Sequence, residues 1–283
     1  MNLRRLVRAA RGSKAGHGDA FSALRLTPDL FGAEGSPWFN IDHFHMAGPT
    51  FPPHPHAGFS AVTYVLPRSA NGMRNRDSRG DRSLIPPGGI HWTAAGSGIV
   101  HEEIPDSPGQ LCEGFQIFVR QPPDQERSPP VIAHADPAEI PDIVLPGGAK
   151  ARLLAGSWNG TDAPVAPPSP LVMMDVELGQ GSMLEWQGPT GWTLGVYLYD
   201  GAVAVEGVDR TLNAPLLLAW ERGEGLVVIR PVEQPCRLLL MAGEPVDAPA
   251  YSNGPFLLSS PEAMHDAVAR YQRGAMGMLP PEW

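Results

Sequence analysis

His54-Pro55-His56-Ala57-Gly58-Phe59-Ser60-Ala61-Val62-Thr63-Tyr64-Val65-Leu66 joins a pair of ligand-type side chains to an apolar run of strand length, Ser60 to Leu66. Residues i and i+2 of a strand project from the same face, so His54 and His56 aim together. Pro55 has no backbone N–H for a ladder, which puts the pair at the beginning of a strand or on a sheet edge. A second pair with the same spacing, His101 and Glu103, follows in His101-Glu102-Glu103. Facing one another, the two pairs supply three imidazole nitrogens and one carboxylate, a donor set for one divalent transition metal.

Outward from this stretch, further short runs rich in Val, Leu and aromatics occur at Phe115 to Val119, Val172 to Leu178, Thr193 to Tyr199, Ala202 to Glu206, Leu216 to Trp220, Gly225 to Ile229 and Arg237 to Met241. They end at Gly, Pro, Asn or Asp, the residues that punctuate strands. The 32 glycines and 32 prolines among 283 residues are spread between these runs and form no low-complexity block. An all-β protein is predicted. The helical exception is 261–273, with Ser260 as N-cap, Pro261 in the first turn, apolar residues at Met264, Ala267, Val268 and Tyr271, and Gly274 at the end.

Length allows two cores. Gln121 to Pro146 is proline-dense and cannot continue a central strand. The expected organisation is a metal-binding domain over 1–125, a linker over 126–146 and a second domain over 147–283 that ends in the helix. Seven of nine histidines lie between His17 and His101, and none lies between His134 and His265. The second domain therefore lacks material for a histidine site, and one metal per chain is expected.

The net charge of −9 gives no basis for binding a phosphate backbone. No run approaches the roughly 20 apolar residues of a membrane span. A cytoplasmic protein without nucleic-acid or membrane partners is expected, and a monomer. Cys112 and Cys236 share no spacing motif and read as buried thiols.

Gly80, Pro86, Gly88 and His91 resemble the second conserved motif of cupins, whereas the first motif is partly met because its glutamate would fall at Ser60. Glu103 is the candidate replacement. HPHAGFSAVTYVLP, NRDSRGDRSLIPPGGIHWTAAGSGIVHEEIP and GPFLLSSPEAMHDAVARYQRG resemble the pirin family along the whole chain. The resemblance implies two tandem cupin, or jelly-roll, β-barrels, with metal held by His54, His56, His101 and Glu103 and with Glu102 turned away. Departures surround these positions: Ala57, Ser60, Asn75 and His91 stand where the family often has Arg, Glu, His and Gln.

Iron(II) is the first expectation for the metal, with Mn, Co, Ni, Cu or Zn as alternatives. The resemblance implies a dioxygenase of the quercetin 2,3-dioxygenase type, with a small aromatic substrate, O2, and Glu103 as both ligand and catalytic base. A second implied reading is an iron-dependent redox sensor whose partner is a transcription factor or metabolic enzyme. Phe51, His91 and Trp92 are candidates for the substrate pocket. His43 and His45 form another His-x-His pair, but Phe44 and Met46 suggest a packed strand leading to the site, so both are left out of the ligand set. His17, His134 and His265 are expected to be exposed, each without a second histidine nearby.

Overall fold

A computed structural model describes residues 2–32 and 35–281. Strands dominate, with one four-residue helix, Pro28–Phe31, which the sequence reading did not anticipate, and one longer helix, Pro261–Gln272. The longer helix begins as expected: the Ser260 hydroxyl accepts from the Ala263 N–H, and Pro261 occupies the first turn.

The chain divides into two compact units made of alternating segments. One, the apolar unit, comprises 1–13, 26–38 and 140–245; the other, the histidine-rich unit, comprises 14–25, 39–139 and 246–283. This differs from a cut at 125 and 147. The first strand, Leu6–Ala10, pairs with Leu216–Trp220, and the C-terminal segment joins the histidine-rich unit. The proposed linker also carries structure, since Val131–Ala135 pairs with Ile90–Ala94 and Asp142–Val144 pairs with Lys150–Trp158. Both strands lie at sheet edges, where the surrounding prolines interrupt no ladder.

In the apolar unit a ten-stranded sheet is built around Thr193–Val205 and Val227–Gly243, each of which fuses two of the expected short strands. Its side chains fill the interior: Trp186, Leu218, Trp220, Leu238 and Leu240 are at most 1% exposed and belong to one large core cluster. The histidine-rich unit is a jelly-roll of a seven-stranded and a four-stranded sheet. The seven-stranded sheet runs in the order 131–135, 90–94, 59–65, 112–120, 38–46, 21–26, 13–17. The four-stranded one runs 54–56, 99–105, 73–77, 84–85. Cys112 and Cys236 are buried and form no disulfide. No helix among the described residues is long and apolar enough to cross a membrane.

Candidate metal centre

Strand His54–His56 pairs antiparallel with Ile99–Pro105, with His54 opposite His101 and His56 opposite Ile99. This register turns two sequence pairs into one cluster. The ring centroids of His54, His56 and His101 lie 4.8 Å from one another in all three combinations. One ligand atom from each falls within 4.8 Å of the others.

Backbone carbonyls orient two of the rings. His54 Nδ1 donates to the Pro52 carbonyl at 3.0 Å, and His56 Nδ1 lies 3.4 Å from the Pro255 carbonyl. A ring fixed through Nδ1–H keeps its Nε2 lone pair for a metal. Burial holds all three rings below the usual imidazole range, His56 to about 3, with the neighbouring His54 adding to the effect there. Neutral rings are the form that ligates. The buried His101 Nδ1 has no hydrogen-bond partner. The cluster thus has the donors, protonation state and proximity that a divalent transition metal requires.

Glu103 lies two residues beyond His101 on the same strand and lines the same cavity. Its carboxylate lies outside the three-histidine cluster and accepts from the Thr63 hydroxyl, which is 2.8 Å from both oxygens. Burial raises Glu103 to about 7, and the Thr63 hydrogen bond acts against that rise. Thr63 Oγ1 also lies 3.0 Å from Gln116 Oε1, so one hydroxyl links two polar groups on the cavity wall. Glu102 points the other way, as the alternation predicts, and forms a buried ion pair with Arg76.

A cavity of about 390 Å3 opens over the histidines. Its walls carry Phe21, Phe39, Phe44, Phe51 and Phe118, together with Met46 and Met73. At the margin Arg25 holds Asp42 through two hydrogen bonds, of 2.8 and 2.7 Å. The turn Gly254-Pro255 supplies part of the wall. Of the three pocket candidates, Phe51 lines the cavity, whereas Trp92 and His91 do not. Trp92 pairs with Val62 on the face of strand Phe59–Val65 opposite Thr63, where Ser60 also lies.

His91 is opposite Thr63 in register, yet 1% exposed, and neither ring nitrogen has a hydrogen-bond partner. Burial lowers it to about 4. Its neighbour across the next strand is His134, at 5.7 Å between ring centroids. His134 is thus half-buried beside another histidine, contrary to expectation, because the strand that carries it was read as linker. His17 and His265 are exposed.

Sequence reasoning missed Thr63, Arg25 and Asp42. The alternation through Trp38–Met46 held a signal for Asp42: Asp42, Phe44 and Met46 line the cavity and the odd-numbered residues between them face away. Nothing local marked Gly254 and Pro255.

The pirin sequence profile matches residues 8–119, and a profile for the pirin C-terminal cupin domain matches 173–277. A pirin-like protein of Caulobacter vibrioides is 30% identical over 286 residues, covering 97% of this chain and 99% of that one. A protein of Pseudomonas aeruginosa that carries quercetin 2,3-dioxygenase as a provisional name is 31% identical over 270 residues, covering 91% of this chain and 93% of its own length. Among solved structures, a quercetin 2,3-dioxygenase from Acinetobacter baumannii superposes with a TM-score of 0.85 at 26% identity, covering 98% of this chain and 99% of that one. Two cupin-type domains, matching profiles in both halves and relatives aligned over nearly the whole length make this chain a member of the pirin family.

Proposed function

We propose that this protein is a metal-dependent dioxygenase acting on a flavonol such as quercetin or on a related hydroxylated aromatic. The observation that carries the reading is the cluster of three neutral histidines on the wall of an aromatic cavity of about 390 Å3. That volume falls within the roughly 300–1,000 Å3 of small-molecule sites, and the lining is of the apolar kind with few polar groups that such sites have. The relatives' printed names support the same class of chemistry.

His54, His56 and His101 would hold the metal, Fe(II) first among the candidates, with Glu103 as fourth ligand when its carboxylate leaves Thr63. When bound, the metal supplies Lewis acidity toward a substrate oxygen and a redox centre for O2. The chain does the rest. Phe39, Phe44 and Phe118 present flat apolar surface to a planar ring and keep water from its faces. Glu103, at about 7, is poised near neutral pH to take the proton of an aromatic hydroxyl on a carboxylate oxygen. Thr63 aims that carboxylate, and Arg25 with Asp42 gives the far end of the ligand polar contacts.

The test is to purify the protein, quantify bound metal and follow oxygen uptake with quercetin for wild type and His101→Ala. Absence of metal from the wild type removes the site assignment. Metal without oxygen uptake on any flavonol, accompanied by partner binding that depends on iron oxidation state, replaces this reading with the redox-sensor one.

A further inference from the structure

The pair set aside in the sequence, His43 and His45, finds a third group in the fold. Both stand on strand Trp38–Met46, and Glu113 stands on Cys112–Arg120, its neighbour in the seven-stranded sheet. Asp42, Phe44 and Met46 on one strand, and Gln116 and Phe118 on the other, line the cavity. By the two-residue period of a strand, His43, His45 and Glu113 occupy the opposite face. The cluster is therefore separate from the three-histidine centre.

Its geometry is that of an assembled ligand set. His43 Nε2 lies 3.0 Å and His45 Nε2 3.7 Å from Glu113 Oε1. The two imidazoles stack with centroids 5.5 Å apart and planes 30° apart, so both rings present Nε2 to the same carboxylate. One ligand atom from each of the three lies within 4.8 Å of the others. Phe115 packs edge-on against His43 at 4.8 Å and fixes the inner ring. The His43 and Glu113 side chains are 10% and 15% exposed, and that of His45 is 39% exposed, so the group is walled within and open at His45.

We propose that His43, His45 and Glu113 form a second divalent-metal site of the two-imidazole, one-carboxylate type, suited to a borderline ion such as Zn(II) or Co(II) and leaving a coordination position for water. Arg68 donates to both Glu113 oxygens, Nε to Oε2 at 3.0 Å and Nη2 to Oε1 at 2.6 Å. A carboxylate has about four lone-pair positions, so Arg68 leaves room for an ion while holding the carboxylate in place, as outer hydrogen-bond partners of ligating carboxylates do. The ion replaces the His43 to Glu113 hydrogen bond. The guanidinium charge makes this site weaker than the three-histidine one. The proposal does not rest on the dioxygenase reading.

The experiment is a titration of metal-stripped full-length protein with Co(II), followed by visible absorption and equilibrium dialysis. Wild type is expected to take up two equivalents, His101→Ala and His45→Ala one each, and the double variant none. Glu113→Gln, combined with His101→Ala, gives a second route to the same loss, and thermal melts confirm that each variant is folded. His45→Ala is expected to keep the oxygen uptake of wild type. An empty His101→Ala protein overturns the proposal, as does an equivalent in it that survives both His45→Ala and Glu113→Gln. If instead metal uptake is unchanged by His101→Ala and abolished by His45→Ala, the three-histidine centre fails and this site stands.

Discussion

The two units share an all-β architecture and differ in what fills it. Of the 21 buried polar or charged side chains among the described residues, Arg4, Ser169, Asp175 and Thr193 belong to the apolar unit and the other 17 to the histidine-rich unit, which also holds all nine histidines of the chain. Among the described residues, 25 buried hydrophobic residues of the apolar unit form one cluster, and a cluster of the histidine-rich unit borders the cavity through Phe44, Met46 and Met73. A buried polar group without a partner costs about 1–3 kcal/mol, and in the histidine-rich unit both His91 ring nitrogens and His101 Nδ1 are such groups. One barrel plan thus carries an apolar interior in one unit and, in the other, a polar interior that gathers the three-histidine cluster.

The sharpest way to break this contrast is His101→Ala. It is expected to abolish metal retention at the three-histidine centre and to lower oxygen uptake with quercetin at least about 100-fold, in line with loss of a group that acts within a unit of residues. Metal analysis and an oxygen electrode check it. Retained metal and rate would mean that the polar interior is not the reactive one.

Leu240→Ala probes the other side. Leu240 is fully buried in the large cluster, and its truncation is expected to cost about 2–5 kcal/mol of stability while leaving metal stoichiometry unchanged. Denaturant unfolding of the metal-loaded protein measures the first, and dialysis the second. A variant that loses metal as readily as His101→Ala would show that the functions of the two interiors are not separable.

Acid should separate the units more gently. The buried His91 and His56 are depressed from the usual 6.5 to about 4 and about 3, so their stabilising contribution is present above pH 6.5 and is lost as pH falls through that window. Glu103, raised from 4.5 to about 7, contributes with the opposite sign: its share is present below pH 4.5 and is lost as pH rises through 7. The histidines outweigh it. Limited proteolysis of metal-stripped protein between pH 7.5 and 5, mapped by mass spectrometry, is expected to cut first within 39–139. Simultaneous cutting in 140–245 would contradict the assignment of acid sensitivity to one unit.

The smallest effect is expected from Thr63→Val, which removes the hydrogen bond that holds Glu103 down. Glu103 should rise further and the rising limb of the pH–rate profile should move to higher pH, with about a 2- to 10-fold loss of rate at neutral pH, the worth of one hydrogen bond. A profile that keeps its position would remove Thr63 from the positioning of that carboxylate.

Much of this was legible in the chain because it depends on local period. The i, i+2 pairs His54/His56 and His101/Glu103 announced a shared face, and Leu216–Trp220 and the helix with its Ser260 cap lie where turn residues and spacing place them. What was not legible depends on strand neighbours. Glu113 joins His43 through sheet order, Thr63 meets Glu103 across the barrel, and His134 reaches His91 through a proline-flanked strand that reads as a linker. The alternation of segments between units likewise has no local mark: Leu6–Ala10 looks like any short strand, and only its partner, Leu216–Trp220, assigns it.

The Gly254-Pro255 turn carries one more consequence. It closes the cavity wall beside residues as early as Phe21, and the Pro255 carbonyl faces His56. A ribosome delivers 39–139 well before 246–283, at about 5–20 residues per second. During synthesis segment 39–139 therefore precedes the turn that completes its cavity wall. The three histidines thus precede the carbonyl that faces His56, and the order of synthesis runs from ligands to wall.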